Sequence, residues 1–381
     1  MTKCAYLRRW TFWAITAVTL GAFSTGVNHI PNPKTSLEDR RQSTFEPNSE
    51  EAQWLKPTRG IRGIFEDREG NLWFTSPDWA CKYSPSARNA KNDGFTYFTE
   101  DWSGVVVSGF QEDSDGLLWM QSPLGIHSYD GNKFAKLADR NYDATDRWAK
   151  DDNDLWFGID RGTEYSEDEG QYGVYRWHDG ECTFLAFPEP PPGERHHFYP
   201  LTSGAMRGND GMLWFGTFEA AFGFDGESFD IVGRKKMGRA GDPRDIGIRG
   251  YHLDSKGNLW MADNGAGVYV YDGDEVHHFT SIHGLTDEDT EGKSLHRSFS
   301  IAEDDDGIFW FGTVYSGIWR YEPSKTNPIG EGTFTNYSKE QGVVSDSIWT
   351  IYKTRSGELL FAGENPGAVY QFIGNSFERV F

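Results

Sequence analysis

A chain of 381 residues with 44 Gly, 15 Trp and 15% aromatic residues has the composition of many short strands joined by tight turns. Its formal net charge of -21, with no long Lys/Arg block, excludes nucleic acid as a general partner because the surface would repel a polyanion. Length alone favours two or three domains, although a closed all-β architecture can use this length as one unit.

The N-terminal residues 1–24 have the pattern of an export segment. Basic residues precede a mostly apolar run over residues 10–23, which is the layout of a signal peptide. Ala22 and Ser24 would supply the small residues of a cleavage site. Cleavage is favoured over retention as an anchor because the run is shorter than the ~20 apolar residues that span a bilayer. We therefore expect a periplasmic or secreted protein, with an N-terminal transmembrane anchor as the alternative and as its only membrane contact.

Seven copies of a repeat centred on Leu-Trp-Phe follow the export segment. The central residues of the copies are Trp73, Trp119, Trp156, Trp214, Trp260, Trp310 and Leu360. Successive copies are 46, 37, 58, 46, 50 and 50 residues apart, around the ~40 to 50 residues of a four-stranded propeller blade. The sequence therefore predicts an all-β fold, a seven-bladed β-propeller of four-stranded blades over residues 59–381, after a linker at residues 25–58. We expect the repeated Trp to pack between adjacent blades.

Small residues recur in the first strand of six blades, as expected where inner strands crowd a central axis. They are Gly63, Gly109, Gly204, Gly250, Ser300 and Thr350. Blade three departs from the repeat, because a shortened run around Trp148 and Lys150 replaces this strand and an insertion follows Ile159. Residues 375–381 can complete blade seven, while pairing of residues 44–58 with that blade stays open.

Two segments carry a family resemblance. Residues 65–75 read Phe-Glu-Asp-Arg-Glu-Gly-Asn-Leu-Trp-Phe-Thr, and residues 301–313 contain Glu-Asp-Asp-Asp-Gly-Ile-Phe-Trp-Phe-Gly-Thr. They resemble the two-component regulator propeller repeat, and the resemblance covers the chain from about residue 59 to its end. It implies a seven-bladed propeller outside the cytoplasm, of the kind that forms the sensor module of hybrid histidine kinases, often responding to glycans. Because no kinase or receiver sequence follows the repeats, a separate sensor kinase is the signalling partner that the resemblance suggests.

Candidate ligand-binding residues lie in loops on one face of the predicted propeller. That face, here called the loop-rich face, gathers the loops entering each inner strand and those joining the second and third strands. The candidates are Tyr165, His197, Tyr199, Arg239, Arg244, Arg249, Arg297 and Tyr315. Arg suits carboxylates and sulfates, and Tyr can stack on sugar rings. The pattern predicts recognition of a glycan, including an acidic one, or of a partner protein. The alternative is that the charges are solvated and pair with Asp242, Asp245 and Glu291.

An enzymatic reading is the second hypothesis. The chain also resembles, more distantly, streptogramin lyases, which share a repeated Trp-Phe-Thr strand on a seven-bladed propeller. That resemblance implies a catalytic His on the loop-rich face, for which His196, His252 and His296 are the candidates, with Arg249 or Arg297 stabilising charge. Nucleophile-elbow, zinc-protease and phosphate-loop motifs are absent from the sequence, so we expect binding rather than catalysis, and no cofactor.

Two further patterns have structural interpretations. The acidic turns at residues 112–116 and 303–307 resemble calcium loops, but their recurrence at one hairpin favours turn chemistry over a metal site. Cys81 and Cys182 would remain after cleavage, and an even count in an exported protein invites a disulfide. They fall in repeats one and three, too far apart to bridge. We expect two separate thiols.

Overall fold

The computed structural model describes residues 60–76, 79–87, 93–98, 110–122, 125–136, 141–145, 147–158, 173–188, 201–240, 242, 247–286 and 294–381. The export segment, the linker and residues 44–58 lie outside these ranges, so the predictions made for them and the domain boundary at residue 59 remain predictions. Within the ranges, no helix has the length and hydrophobicity needed to cross a membrane.

The described strands form seven four-stranded sheets, which confirms the predicted seven-bladed propeller. Blade one contains β1 (Gly63–Glu66), β2 (Leu72–Ser76), β3 (Trp79–Tyr83) and β4 (Phe95–Phe98). Blade two contains β5 (Phe110–Glu112), β6 (Leu118–Ser122), β7 (Gly125–Tyr129) and β8 (Phe134–Lys136). Blade three contains β9 (Asn141–Thr145), β10 (Leu155–Gly158), β11 (Gly173–His178) and β12 (Glu181–Ala186).

The remaining blades follow in chain order. Blade four contains β13 (Met206–Arg207), β14 (Leu213–Gly216), β15 (Ala221–Phe224) and β16 (Phe229–Val232). Blade five contains β17 (Ile248–Leu253), β18 (Leu259–Asp263), β19 (Gly267–Tyr271) and β20 (Val276–His277), followed by the short helix α1 (Phe279–Ile282). Blade six contains β21 (Ser298–Glu303), β22 (Phe309–Thr313), β23 (Ile318–Pro323) and β24 (Gly332–Tyr337). Blade seven contains β25 (Ser347–Lys353), β26 (Leu359–Glu364), β27 (Ala368–Ile373) and β28 (Ser376–Arg379).

The repeated Trp packs between blades, as predicted. Because side chains alternate along a strand, the Trp and the residue after it point to opposite faces of the blade. Trp73 therefore packs with Phe110 and Met120 of blade two, while Phe74 packs with Leu360 of blade seven. The same alternation recurs in every blade, and the described core divides into seven clusters, one for each pair of adjacent blades.

The ring closes between blades seven and one, because a seventh interface exists for seven blades. Its apolar cluster joins Phe74 and Cys81 of blade one to Leu360 and Val369 of blade seven. On the other side of the blades from the loop-rich face, the Glu66 carboxylate accepts a hydrogen bond from the backbone N–H of Arg355 at 2.7 Å. Strand β28 pairs with β27, so the last residues complete blade seven as predicted.

The acidic turns bind the repeated Trp, which confirms turn chemistry. In four blades the carboxylate of an Asp accepts a hydrogen bond from the indole N–H of the Trp six residues later, at 2.7–2.9 Å. These Asp residues are Asp67, Asp113, Asp254 and Asp304. Each also accepts backbone N–H groups of its own turn. Blade seven has Thr354 and Leu360 in place of this pair, so both partners are replaced together.

Blade three lacks an inner strand among its described residues. Its sheet begins at β10, and β9 pairs in parallel with β12 on the outer edge. Two amide side chains of blade two form hydrogen bonds with the backbone groups on the free edge of β10. Gln111 bonds the N–H and C=O of Trp156 at 3.0 and 2.7 Å, and Gln121 bonds those of Gly158 at 2.6 Å each. Side chains thus replace the hydrogen bonds that an inner strand makes elsewhere.

The two cysteines are separate buried thiols, as predicted. Cys81 belongs to the cluster between blades seven and one, whereas Cys182 belongs to the cluster between blades two and three. The distance between these interfaces leaves no geometry for a disulfide.

Candidate functional site

A layer of side chains surrounds the axis at the loop-rich face. Its members occupy one register position, immediately before the small residue of each described inner strand. They are Arg62, Ser203, Arg249, Phe299 and Trp349, which we call the collar. The small residues allow the strands to approach, since a Cβ on Gly250 would lie 2.4 Å from the carbonyl oxygen of Phe299. The collar side chains are thereby held close to their neighbours.

Three collar residues are bulges in their strands. The pairing of β17 with β18 passes over Arg249, that of β21 with β22 passes over Phe299, and that of β25 with β26 passes over Trp349. A bulge leaves one residue out of the ladder and changes the direction of its side chain. The same bulge in three consecutive blades therefore presents Arg, Phe and Trp at equivalent places around the axis.

Arg62 connects blades one and seven across the collar. Its guanidinium carbon lies 3.3 Å from the ring centroid of Trp349, and its Nη2 donates to Glu364 at 2.9–3.1 Å. Glu364 also accepts the indole N–H of Trp349 at 2.8 Å, and the Trp349 ring meets Phe299 edge-on at 4.3 Å. Burial lowers the pKa of Arg62, Glu364 opposes this shift and the charge of Arg249 adds to it.

Arg249 is the collar cation without a hydrogen-bonded carboxylate in the described part of the chain. Its guanidinium carbon lies 4.5 Å from the ring centroid of Phe218, in the loop between β14 and β15. Burial lowers the pKa of Arg249, and the charge of Asp263 partly offsets this effect. The structure therefore brings one predicted candidate, Arg249, to the axis, together with Arg62, which the sequence analysis did not select.

Arg239 is committed to a buried ion pair. Its Nη1 donates to Asp263 at 2.9 Å and its Nε to Asp242 at 3.3 Å. Burial raises the pKa of Asp263, while the charge of Arg239 acts in the opposite direction. Nearby, buried Arg234 lies 3.6 Å from Glu219. These contacts give Arg239 the structural role that the sequence left as the alternative, pairing with Asp242.

Tyr315 and Arg297 are exposed together at the loop-rich face of blade six. The Tyr315 side chain is 67% exposed, and its backbone N–H donates to the C=O of Asp346 in the entry to blade seven at 2.6 Å. Arg297 precedes β21, and its C=O accepts the N–H of Val314, the residue before Tyr315, at 3.0 Å. Two predicted candidates thus share one corner of the face.

Tyr315 has a backbone conformation that L residues rarely adopt. Its φ is +64°, in the left-handed region. At the equivalent position in the adjacent blades, Gly265 has a φ of +143° and Asn365 a φ of +58°. The loop therefore demands positive φ, and blades five and seven satisfy it with Gly and Asn, which tolerate it better. Blade six holds an exposed aromatic ring there at a conformational cost.

The described histidine candidates do not share neighbours. His252 on β17 is half-buried, its buried Nε2 has no hydrogen-bond partner in the described structure, and desolvation lowers its pKa to about 4. The charges that act on it are Asp254 and Lys353, towards the acidic turns. His296 lies at the loop-rich face, where its C=O accepts the N–H of Gly265 at 3.1 Å.

The other candidates, Tyr165, His196, His197, Tyr199 and Arg244, lie outside the described residues, so their predicted roles remain predictions. No group of three or more His, Cys, Asp or Glu side chains that could hold a metal ion occurs in the part of the chain that is described. Arg62 and Trp349 could have been found by aligning the residues before the small positions. Neither residue lies in the long loops that carry the predicted candidates.

Comparison with known proteins adds a family assignment for one segment. Residues 292–315 match the family model described as two component regulator propeller. The chain carries a two component regulator propeller repeat. This repeat spans the entry to β21, the strand β22 and Tyr315, so the corner formed by Arg297 and Tyr315 lies within it. No curated protein matches the chain.

Solved propellers with this topology include proteins of several kinds. A streptogramin B lyase has a TM-score of 0.54 at 14% identity, covering 86% of this chain and 96% of the lyase. YCF48 bound to D1 peptide has a TM-score of 0.53 at 11% identity, covering 84% and 96%. The extracellular domain of the hybrid two component system BT3049 from B. thetaiotaomicron has a TM-score of 0.37 at 18% identity. The match covers 84% of this chain and 45% of that domain. At these identities the likeness shows the fold.

Proposed function

We propose that this chain is an extracytoplasmic recognition propeller with a sensory role, which binds a glycan through its loop-rich face. The signal-peptide pattern of residues 1–24 supports a location outside the cytoplasm. The two component regulator propeller repeat supports a sensory role, with a sensor kinase as the partner that would receive the signal. The closed ring supplies a rigid base on which loops can present a binding site.

The observation that carries the proposal is the exposed, left-handed Tyr315. Backbone strain of this kind persists where the surrounding structure imposes it, and it clusters at ligand sites. Gly or Asn would satisfy the same turn at lower cost, as Gly265 and Asn365 do. A flat aromatic ring exposed at 67% provides an apolar surface for the C–H groups of a sugar ring. The exposed Arg297 beside it can bond sugar hydroxyls or an acidic substituent.

Glycan-array binding of the mature protein tests the proposal. We compare wild type with Tyr315→Ala, which removes the ring, and Tyr315→Phe, which keeps the stacking surface. Ile373→Ala is the matched control, because Ile373 is an exposed apolar side chain at the β27–β28 turn. We expect binding to one class of glycans in wild type, at least a tenfold loss in Tyr315→Ala and near-normal binding in the Phe and control variants.

Two results would contradict the proposal. One is the absence of binding to any glycan on the array by a folded wild-type protein. The other is equal binding by wild type and Tyr315→Ala, which would show that the strained ring has no part in recognition.

A further inference from the structure

The collar contains hydrogen-bond donors that the described protein does not satisfy. Nε and Nη1 of Arg62, Nε of Arg249 and the hydroxyl of Ser203 are all buried and have no partner. Buried unpaired donors are costly, and charged ones most of all. These atoms belong to blades one, four and five but to one register position. Their coincidence at the axis indicates that the donors serve a ligand rather than the fold.

The two collar guanidinium groups each pack against an aromatic ring, and their charges influence each other. The Arg62 guanidinium packs against the Trp349 ring, and the Arg249 guanidinium packs against the Phe218 ring. The charge of Arg249 lowers the pKa of Arg62. This effect is the repulsion between two like charges. An anion placed between the two guanidinium groups would remove this repulsion and accept hydrogen bonds from both groups. Arg favours this arrangement with carboxylates and sulfates.

The hydrogen bonds of the neighbouring arginines single out Arg249. Arg62 is hydrogen-bonded to Glu364, Arg239 to Asp263, and Arg234 lies within ion-pair distance of Glu219. Arg249 has no hydrogen-bonded carboxylate among the described residues, although the charge of Asp263 acts on it, so its guanidinium is the collar cation whose hydrogen bonds remain for a ligand. A carboxylate or a sulfate ester carries one negative charge, whereas a phosphate monoester carries nearly two at neutral pH. The aromatic rings of Phe299 and Trp349 exclude water and strengthen the interaction.

We infer that the collar is an anion subsite that takes the carboxylate or sulfate group of an acidic sugar, with Arg249 and Arg62 as its donors. This inference rests on the proposed function, because it makes the collar the charged end of a site whose apolar surface is Tyr315. A uronic acid and a sulfated sugar present the same chemistry to the two guanidinium groups. The experiment below separates these sources.

Isothermal titration calorimetry on the full chain tests the inference with four probes. Methyl glucuronide carries the carboxylate, glucose 6-sulfate carries the sulfate ester, methyl glucoside is the neutral counterpart, and methyl sulfate is a monoanion without a sugar. We expect either charged sugar to bind at least tenfold more tightly than methyl glucoside, with a Kd that rises with salt. The stronger of the two charged sugars identifies the anion. Equal affinity for the neutral and charged sugars would overturn the inference.

Variants at matched arginines make the assignment specific. Arg249→Gln removes the unmatched charge, and we expect it to abolish the preference for charged sugars with an unchanged melting temperature. Arg320→Gln is the control, because Arg320 also faces a Trp ring, at 6.0 Å from Trp310, and pairs with a glutamate, Glu322, at 3.1 Å. It lies on strand β23, outside the collar. A charge preference that persists in Arg249→Gln, or that is lost equally in Arg320→Gln, would refute the subsite.

The outcomes also separate this inference from the proposed function. If glycans bind through Tyr315 without any preference for charged sugars, the proposed function stands and the collar subsite is wrong. If methyl sulfate binds in an Arg249-dependent way and no sugar binds, the collar is an anion site, but its assignment to an acidic sugar and the proposed glycan recognition are both wrong.

Discussion

Replacement of Asp304 by alanine tests whether the acidic turns hold the tryptophans of the repeat. Asp304 Oδ2 accepts the indole N–H of Trp310 at 2.9 Å, and Oδ1 accepts the N–H groups of Ile308 and Asp306, both at 3.0 Å. Trp310 is buried between blades six and seven. Asp304→Ala therefore leaves a buried indole N–H unpaired and removes the side chain that closes the turn.

The expected loss of stability follows from these contacts. A buried donor without an acceptor costs about 1–3 kcal/mol, and loss of the Asp turn contacts adds about 1 kcal/mol. We expect a decrease of about 2–4 kcal/mol in the free energy of unfolding. With an unfolding entropy of about 2.1 cal/mol/K per residue over about 320 residues, the melting temperature falls by about 3–6 °C.

Differential scanning calorimetry with a neighbouring variant checks this value. Asp305→Ala changes the adjacent residue, whose side chain is 72% exposed and pairs with Lys353, so we expect less than about 1 kcal/mol. Equal melting temperatures for Asp304→Ala and wild type would refute the turn argument. A rise in the wild-type melting temperature on adding calcium, lost in Asp304→Ala, would refute the preference for turn chemistry over a metal site.

Three further changes test other parts of the structure. Tyr315→Asn relieves left-handed backbone strain and should raise the free energy of unfolding by up to about 1 kcal/mol, which corresponds to a melting temperature about 1–2 °C higher. Tyr315→Phe should leave the melting temperature unchanged. A lower melting temperature for Tyr315→Asn would contradict the strain. Gln121→Leu leaves the N–H and C=O of Gly158 unpaired and should cost about 2–4 kcal/mol in urea unfolding. Gln371→Leu should cost less than about 1 kcal/mol, because the half-buried Gln371 bonds only the exposed Glu358 side chain. Burial lowers the pKa of His252 in the folded state to about 4. The stability that comes from keeping this ring neutral is complete above the unfolded pKa of about 6.5, and it falls as the pH drops towards 4, by at most about 1.4 kcal/mol per pH unit. His252→Gln should reduce this pH dependence of the free energy of unfolding.

The fold was predictable because one sequence pattern recurs seven times, and every copy predicts the same four-stranded blade. Alternation around each Leu-Trp-Phe determines that Trp73 faces blade two and Phe74 faces blade seven. The spacing of six residues between Asp and Trp was also visible in the sequence. It indicated a turn, but the indole hydrogen bond depends on the side-chain orientation that packing imposes.

The candidate site was less predictable, because long-range contacts decide which charges are available. Arg239 and Arg249 look alike in sequence, yet Arg239 meets Asp263, a carboxylate 24 residues later in the chain. Arg249 is one residue from a small inner-strand position, and a bulge directs it to the axis. No local pattern distinguishes the two. Blade three, whose described residues include no inner strand, showed in the sequence only a shortened run. The hydrogen bonds from Gln111 and Gln121 to β10 required the structure.

The composition of the collar is itself evidence for function. In a repeat protein, positions that serve packing keep one residue type, as the Trp position does in six of seven copies. The collar position holds Arg, Ser, Arg, Phe and Trp in the described blades, although the backbone there is the same bulge in three of them. The collar side chains are half-buried apart from buried Phe299, and desolvation of a guanidinium group there opposes folding. The unpaired donors of the two arginines therefore oppose folding, although Arg62 also pairs with Glu364. A ligand that accepts hydrogen bonds from these arginines offsets the cost of their unpaired donors on binding. Recognition is thereby coupled to the rigidity of the ring.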